Sequence, residues 1–347
     1  MLAWRRSNLV TVGAVVGALR GKTALVTGAA GFIGSYLCER LLDLGCCVVG
    51  VDNETTGFRA NVPPAVKHIV GDIRDEAVLA RAFAEKVDIV LHTAAQVSNI
   101  KSFSDPENDL DVNVRGTLKV LQKCVERRVP RLLYASSMAV YGEPTEIPTG
   151  ENAPCLPLSY YGITKYAAER YVHQTARRPD LGFALDVTSF RMFNVFGPRQ
   201  SLTNMYQGVI SVFIANLLAR DPITLYGSGR QSRDFIYVDD IVDAWITAID
   251  EPRTYGEVIN LGTGRDVSIQ HLIDSLLAIF GHGPDYPIVR RPALAGDQFR
   301  IAADVGKAAS LLAWAPRVTF EEGLARTVEW ARREGVYSQL GRQPAKT

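Results

Sequence analysis

Histidine and cysteine are scarce in this sequence, and neither type forms a cluster. The five histidines show no ligand-like grouping, and the five cysteines, an odd number, lack the paired spacing of a zinc site. We therefore expect no bound metal. The cysteines fall mostly in apolar stretches, which indicates buried free thiols rather than a disulfide framework and predicts a reducing, cytoplasmic location.

An excess of charge of one sign and a membrane-spanning apolar run are missing as well. The net charge of +1 over 347 residues gives no basic surface for nucleic acid. Residues 9–19 are apolar and follow Arg5 and Arg6, but they are fewer than the ~20 that cross a bilayer. They run into the first strand without a small-residue cleavage spacer, so we expect a short N-terminal extension over residues 1–21 and no membrane partner.

Alternating strands and helices in the N-terminal half predict a doubly wound parallel sheet. Thr23–Thr27 is an apolar run typical of a buried strand, and residues 28–34 (GAAGFIG) follow it and open a helical pattern. A glycine turn between strand and helix allows a pyrophosphate to reach the backbone N–H groups of the helix. This turn predicts a dinucleotide site formed by Gly28, Gly31, Phe32, Ile33 and Gly34.

Polar and small residues end the following strands of the predicted sheet. Asp52 lies about two dozen residues after Gly28, where a carboxylate binds the adenosine ribose and repels a 2′-phosphate. This position predicts NAD as the cofactor rather than NADP. Ligands bind at the carboxyl ends of parallel strands. The further cofactor contacts that we expect there are Asn53, Asp72, Ile73, Ala94, Ala95 and Ser136.

A tyrosine and a lysine four residues apart provide the candidate catalytic group. Tyr161 and Lys165 share one helix face, so the ammonium lies beside the phenol. A free tyrosine has a pKa of ~10 and is a poor base, but an adjacent cation and a nicotinamide cation would stabilise the phenolate. Ser137, at the end of a predicted strand, could share the proton. These three residues are the predicted catalytic set, and Tyr161 and Lys165 are also expected to contact NAD.

The order of the motifs resembles that of a known family, the extended short-chain dehydrogenase/reductases that act as NAD-dependent nucleotide-sugar epimerases and dehydratases. The resemblance covers roughly residues 22–330. The motifs that carry it are the glycine turn, Asp52, and residues 71–73 (GDI), 92–96 (HTAAQ), 113–117 (NVRGT), 136–142 (SSMAVYG), 161–165 (YGITK), 191–200 (RMFNVFGPRQ) and 227–240 (GSGRQSRDFIYVDD).

This resemblance implies a Rossmann-type NAD-binding domain over residues 22–190, a smaller substrate domain over 191–335 and a tail over 336–347. It adds Gln96 and Asn113 to the expected cofactor contacts. It also implies a homodimer in which the helices over 106–127 and 160–175 pair across a two-fold axis. The implied substrate is a UDP-sugar. The residues expected to bind it are Ser137, Asn194, Arg199, Tyr226, Arg233 and Asp297.

Two positions decide which reaction of this group is expected. Related dehydratases and decarboxylases carry acidic residues just after the catalytic hydroxyl, whereas this chain has Met138 and Ala139, which cannot transfer protons. The sequence therefore predicts 4-epimerisation through a 4-keto intermediate. Arg199 favours UDP-glucuronate, because it could bind the 6-carboxylate, and UDP-glucose is the alternative. A non-catalytic NAD sensor would not need Ser137, Tyr161 and Lys165.

Overall fold

The computed structural model describes residues 19–204, 208–294 and 296–335. The predicted N-terminal extension, except for its last three residues, and the predicted tail lie outside these ranges. The strands of the described part, in chain order, are β1 Thr23–Thr27, β2 Cys47–Asp52, β3 Lys67–Val70, β4 Ile89–His92, β5 Arg131–Ser137, β6 Asp186–Met192, β7 Asn194–Phe196, β8 Ile223–Tyr226, β9 Ser232–Arg233, β10 Phe235–Tyr237, β11 Glu257–Leu261, β12 Val267–Ser268 and β13 Ile288–Arg291.

Seven of these strands form one central parallel sheet in the order β11-β6-β5-β4-β1-β2-β3. Both faces of the sheet are covered. Ala24 and Val26 of β1 belong to one hydrophobic cluster, while Leu25 between them belongs to another. The chain runs from β1 to β2 on one side and places β4 on the other, so a crevice opens beyond the carboxyl end of β1. The predicted Rossmann-type sheet is confirmed.

Helices connect the strands and cover both faces of this sheet. In chain order they are α1 Phe32–Asp43, α2 Glu76–Ala82, α3 Asn99–Ser104, α4 Pro106–Leu110, α5 Thr117–Glu126, α6 Tyr160–Ala176, α7 Val209–Ala219, α8 Val238–Ala248, α9 Ile269–Phe280, α10 Gly306–Leu312 and α11 Phe320–Trp330. In the part of the chain that the structure describes, none of them has the length and apolar character needed to cross a membrane.

The helix expected over residues 106–127 is not continuous. A π-helical turn, Asp111–Gly116, separates α4 from α5. The Thr117 hydroxyl donates to the Asn113 carbonyl at 2.6 Å, and the Asn113 side chain binds the backbone of Gln96 at both N and O. These bonds draw the turn toward the loop after β4. Such π-turns are frequent at functional sites.

The C-terminal half adds three two-stranded sheets beside the central one. β7 pairs with β10 and β8 with β13, both parallel, and β9 pairs with β12 in antiparallel fashion. Strand β11 returns to the central sheet and pairs with β6. The segments beyond β6 therefore lie next to the carboxyl end of β5, where Ser137 is located.

Candidate active site

The glycine turn forms one wall of the crevice. Gly28 has a φ of +76°, and a Cβ there would lie 2.9 Å from the backbone N of Ala94. A Cβ on Gly34 would lie 2.0 Å from the Gly28 carbonyl oxygen. Only glycine permits this packing of strand, turn and helix. Helix α1 begins after Gly31 without a side-chain cap, so its first N–H groups are available to an anion.

Asp52 ends β2 and faces the glycine turn. Its Oδ2 accepts a 3.0 Å hydrogen bond from the Ala30 N–H, and its Oδ1 accepts one of 2.7 Å from Glu54. Burial raises the pKa of this carboxyl, while the two N–H donors oppose that change. The two backbone bonds fix the carboxylate at the rim of the crevice, which is the position expected for binding a ribose diol.

A cleft of about 950 Å³ extends from this turn to the predicted catalytic residues. It brings together fourteen of the sixteen predicted cofactor contacts, which come from strand ends, from loops and from helices α1 and α6. These are Gly28, Gly31, Phe32, Ile33, Gly34, Asp52, Asn53, Asp72, Ile73, Ala94, Ala95, Ser136, Tyr161 and Lys165. The lining residues that sequence reasoning missed include Thr56, Val97, Val112 and Met192. They are ordinary loop and apolar residues, and no local pattern distinguishes them.

Hydrogen bonds from neighbouring side chains hold the Asp72 carboxylate in place. Arg74 donates to both of its carboxylate oxygens, and Asn53 donates to Oδ2 at 2.9 Å. The Arg74 hydrogen bond lowers the pKa of Asp72 to about 2. Asp72 is therefore a carboxylate at neutral pH, and it holds the loop after β3 rigid at the cleft.

Gln96 and Asn113 do not line the cleft, although direct cofactor contact was expected. Asn113 Oδ1 accepts a 2.8 Å bond from the Gln96 N–H, and the Gln96 amide donates to Asp109 at 2.6 Å. Both side chains are used in a polar network behind the wall of the cleft. Their contribution is to hold the Ala94-Ala95 loop in place, because the π-turn brings Asn113 against that loop.

Helix α6 presents Tyr161 to the end of β5. Ser159 caps the helix by accepting a 3.1 Å bond from the Gly162 N–H. A Cβ on Gly162 would lie 2.6 Å from the Ala139 carbonyl oxygen, so glycine lets the helix approach the turn after Ser137 closely. The Ser137 hydroxyl lies near enough to the Tyr161 phenol to lower its pKa. The predicted serine–tyrosine pair is thus brought together.

Burial dominates the charge states of the two titratable residues at this site. Burial raises the pKa of Tyr161 to about 12, although the nearby Ser137 hydroxyl opposes this change. Burial also lowers the pKa of Lys165 to about 7, and the Asp109 and Glu169 carboxylates oppose this. The expected depression of the tyrosine pKa by Lys165 is therefore not provided by the protein groups alone, because the same dry environment destabilises both charged forms.

A buried ion pair behind the site was not found from the sequence. Arg191 donates to both carboxylate oxygens of Glu169, at 3.0 Å from Nε and 2.7 Å from Nη2. The Ser136 hydroxyl donates to the same carboxylate at 2.6 Å. Glu169 lies one turn after Lys165 in α6, and this i, i+4 spacing was the only signal available. The pair ties α6 to β5 and β6 next to Ser137.

The predicted substrate residues lie outside the lining of the cleft. Arg233 is buried and forms an ion pair with Asp297, so the structure unites two residues that are 64 positions apart. The Oδ1 of Asn194 is buried without a hydrogen-bond partner in the described structure, which suits a residue that binds a ligand. Tyr226 is exposed at the end of β8 beside β13.

Arg199 is not brought to the predicted sugar site. Its Nη2 donates to Glu39 at 2.7 Å, and its guanidinium lies 4.5 Å from the ring centroid of Tyr36. Both partners belong to α1. Arg199 also borders a small cavity together with Gly31 and Phe32. The loop after β7 thus folds onto the helix of the glycine turn, away from the lining around Tyr161.

Comparison with known proteins agrees with this geometry. A sequence model of the NAD dependent epimerase/dehydratase family matches residues 24–262. The putative UDP-glucose 4-epimerase of Methanocaldococcus jannaschii is 36% identical over 309 residues, which cover 89% of this chain and 98% of that protein.

Two solved structures are similar to the whole fold. The UDP-glucose 4-epimerase of Thermotoga maritima with UDP-glucose has a TM-score of 0.84 and 35% identity, covering 90% of this chain and 99% of that one. MoeE5 in complex with UDP-glucuronic acid and NAD has a TM-score of 0.81 and 34% identity, again covering 90% and 99%.

Proposed function

This chain belongs to the NAD-dependent epimerase/dehydratase family, and we propose that it interconverts UDP-glucose and UDP-galactose at carbon 4 with bound NAD. The observation that carries the proposal is that Tyr161 and Lys165 line the inner end of a cleft shaped for a dinucleotide, with Ser137 next to the Tyr161 phenol. The cleft fits NAD because its glycine turn leaves helix N–H groups for the pyrophosphate and its rim carries the Asp52 carboxylate.

The roles of the three catalytic residues follow from their positions. NAD, when bound, supplies reversible acceptance of a hydride from carbon 4. Tyr161 takes the proton of the 4-hydroxyl, and Ser137 holds the oxygen that loses it. Because burial leaves the tyrosine protonated at neutral pH, it needs cations beside it to act as a base. Lys165 and the nicotinamide ring are the two cations that this site can offer.

Epimerisation fits this site better than dehydration or decarboxylation. Those reactions need a proton donor and acceptor near carbons 5 and 6 of the sugar. The turn after Ser137, Met138–Tyr141, begins with Met138 and Ala139, and neither side chain can transfer a proton. Epimerisation needs only that the 4-keto sugar turns its other face before carbon 4 takes back its hydride and the oxygen takes back its proton from Tyr161.

We further propose that Arg233 and Asn194 bind the pyrophosphate of the UDP-sugar. A guanidinium forms charge-assisted, bidentate hydrogen bonds with phosphate oxygens. Arg233 is buried and is held by the Ser232 carbonyl at 2.7 Å and by Asp297. Asp297 balances the charge of the Arg233 guanidinium while no diphosphate is bound. A diphosphate that binds would compete with Asp297 for this guanidinium. Tyr226, exposed beside β13, is assigned to the nucleoside end.

UDP-glucuronate is the second candidate substrate. The preference for it rested on Arg199, whose guanidinium is paired with Glu39 and stacked on Tyr36, so this residue no longer supports a carboxylate site. The specific observation in favour of the uronate is that one structural relative is in complex with UDP-glucuronic acid and NAD. A neutral 6-hydroxyl needs no cation in the pocket, which agrees better with the placement of Arg199.

Incubation of the purified protein with UDP-galactose and, separately, with UDP-galacturonate tests the proposal. Chromatography of the products distinguishes the 4-epimer, a pentose, a dehydrated sugar and unreacted substrate. We expect rapid formation of UDP-glucose and turnover of the uronate at least ~10-fold slower. Faster turnover of UDP-galacturonate would replace the first substrate by the second, and a pentose or dehydrated product would overturn the assignment to epimerisation.

A further inference from the structure

Asp109 in α4 is a fully buried carboxylate whose hydrogen-bond donors are all neutral. Its Oδ2 accepts from the Thr164 hydroxyl at 2.6 Å, and its Oδ1 accepts from the Gln96 amide at 2.6 Å and from Asn113 at 3.2 Å. A buried charge without a paired cation is costly, so a fold that retains one commonly uses it. The roles described above do not account for this carboxylate.

The three donors belong to three segments that meet behind the catalytic residues. Gln96 follows β4, Asn113 lies in the π-turn, and Thr164 lies in α6 directly before Lys165. Asp109 is therefore the point at which the loop that lines the cleft is joined to the catalytic helix. Its charge acts on both titratable residues, because it raises the pKa of Tyr161 and the pKa of Lys165.

We propose that Asp109 is a positioning residue of the catalytic site, which keeps Lys165 charged next to Tyr161 and locks α6 to the loop after β4. The proposal rests on the function proposed above, since it assigns Asp109 to the same reaction. It goes beyond that function by naming a residue that touches neither sugar nor cofactor and still sets the pH at which the site works.

The other groups that face Lys165 cannot take this role. Glu169, one turn along α6, is a carboxylate as well, but the two-pronged contact with Arg191 balances its charge. Tyr134 of β5 lies under the ammonium, 4.5 Å from Nζ to the ring centroid, and burial raises the pKa of its phenol far above the usual value.

Lys165 also acts on His92 of β4, which is neutral. Its Nε2 lies 2.9 Å from the Thr117 hydroxyl, which itself donates to the Asn113 carbonyl, so Nε2 carries the proton and donates. Burial lowers the pKa of His92 to about 3. Of the two carboxylates that act on Lys165 in the described structure, Asp109 is therefore the one that no guanidinium already balances.

The expected effect of removing this charge has a definite sign. Without the carboxylate, the Tyr161 phenolate loses a repulsive neighbour and its pKa falls. The Lys165 ammonium loses an attractive neighbour and its pKa falls too. The rate should rise with deprotonation of Tyr161 and fall with deprotonation of Lys165, so both limbs of the pH profile of kcat move to lower pH. An uncompensated charge near a titratable group shifts its pKa by about 1 unit.

The test is the pH profile of kcat for UDP-galactose in the wild type, Asp109→Asn and Asp109→Glu. We expect the profile of Asp109→Asn to move by about 1 pH unit toward acid. The profile of Asp109→Glu, which keeps the charge, should remain near that of the wild type even where its kcat is lower. An equal loss of kcat at every pH in Asp109→Asn, with no displacement of the profile, would overturn the proposal.

A second pair of variants covers the case in which Asp109→Asn does not fold. Thr164→Val removes the 2.6 Å donor and so favours the neutral form of Asp109, which should move the profile toward acid by a smaller amount. Thr164→Ser keeps the donor and should keep the position of the profile. The same displacement in both Thr164 variants, or none in Thr164→Val, would contradict the proposal. A wild type without turnover would instead refute the proposed function.

Discussion

The ammonium of Lys165 lies 4.5 Å from the ring centroid of Tyr134, against the face of the aromatic ring. Both residues are buried, and Tyr134 belongs to the strand that ends at Ser137. The contact fixes the lysine over β5 at the inner end of the cleft by a cation–π interaction. The contact thereby holds Lys165 at the part of the cleft that Tyr161 also lines.

The first prediction concerns the base. Tyr161→Phe removes the titrating hydroxyl and keeps the ring, so turnover should fall by at least ~100-fold, the usual contribution of a general base. Steady-state rates measure this loss, and the amount of bound NAD checks that the cleft is intact. Tyr171→Phe, on the exposed face of the same helix, is the matched control. Near-normal turnover by Tyr161→Phe would contradict the mechanism.

The second prediction concerns the choice between NAD and NADP. Asp52 repels a 2′-phosphate, so the wild type should bind NAD at least ~10-fold more tightly than NADP. Asp52→Asn should reduce that ratio. It should also weaken NAD binding, because the Ala30 and Glu54 N–H groups bind different carboxylate oxygens and the substitution turns one of these oxygens into an NH2 group. Calorimetric titration of the cofactor-free protein measures both effects. Equal affinity of the wild type for the two cofactors would contradict the role of Asp52.

The third prediction concerns stability in acid. Burial lowers the pKa of His92 from 6.5 to about 3, so the unfolded chain binds a proton between these values that the folded chain does not. Stability is therefore lost as the pH falls below 6.5, by roughly 1.4 kcal/mol per pH unit for this residue. His173, whose pKa burial lowers to about 4, adds a similar loss.

Urea unfolding at pH 7 and pH 5 checks this prediction. The free energy of unfolding should be lower at pH 5 by a few kcal/mol in the wild type, and His92→Gln should remove roughly 2 kcal/mol of that difference. His271→Gln changes an exposed histidine and should leave the difference as it is. Identical acid losses in the wild type and His92→Gln would show that His92 is not held neutral in the fold.

The fourth prediction concerns assembly. We propose that the chain forms a homodimer through an apolar surface on α3, α4 and α6. The surface includes Leu110 and Ile163, which are 55% and 49% exposed, and the Phe103 and Tyr160 rings, whose centroids are 5.4 Å apart. Exposed apolar patches of this kind commonly mark interfaces, and a two-fold axis would bury the same patch on both copies.

Light scattering at micromolar concentration tests the dimer. The wild type should have the mass of two chains, and Ile163→Glu should reduce it to that of one chain because it places a charge in the proposed interface. Val70→Glu is the control, since Val70 is equally exposed but lies on β3 at the edge of the sheet. A monomeric wild type would refute the interface.

The sequence predicted what depends on local pattern and on the direction of parallel strands. The glycine turn follows β1, and Asp52 and Ser136 lie at the carboxyl ends of β2 and β5, so their meeting at one edge of the sheet could be deduced. The paths of the loops could not be deduced from the sequence. Arg199 contacts α1 because the loop after β7 packs against that helix. Asn113 faces Gln96 because a π-turn interrupts the helix.

The charge environment of the site could not be predicted from the sequence either. The i, i+4 spacing of Tyr161 and Lys165 predicted their proximity, but not that burial would act against both charged forms. Asp109 is joined to the helix of these residues by the Thr164 hydroxyl, 55 positions away. These pKa shifts depend on burial and on tertiary contacts, and the spacing of residues in the sequence predicts neither.

The fate of deuterium at carbon 4 tests the central claim most directly. Purified protein, without added NAD, is given UDP-galactose that carries deuterium at carbon 4, and the UDP-glucose formed is examined by mass spectrometry and NMR. If the hydrogen at carbon 4 leaves and returns within the closed site, the product keeps its deuterium at that carbon. Replacement of the deuterium by hydrogen from water, or no formation of UDP-glucose, would contradict epimerisation through a transient 4-keto sugar.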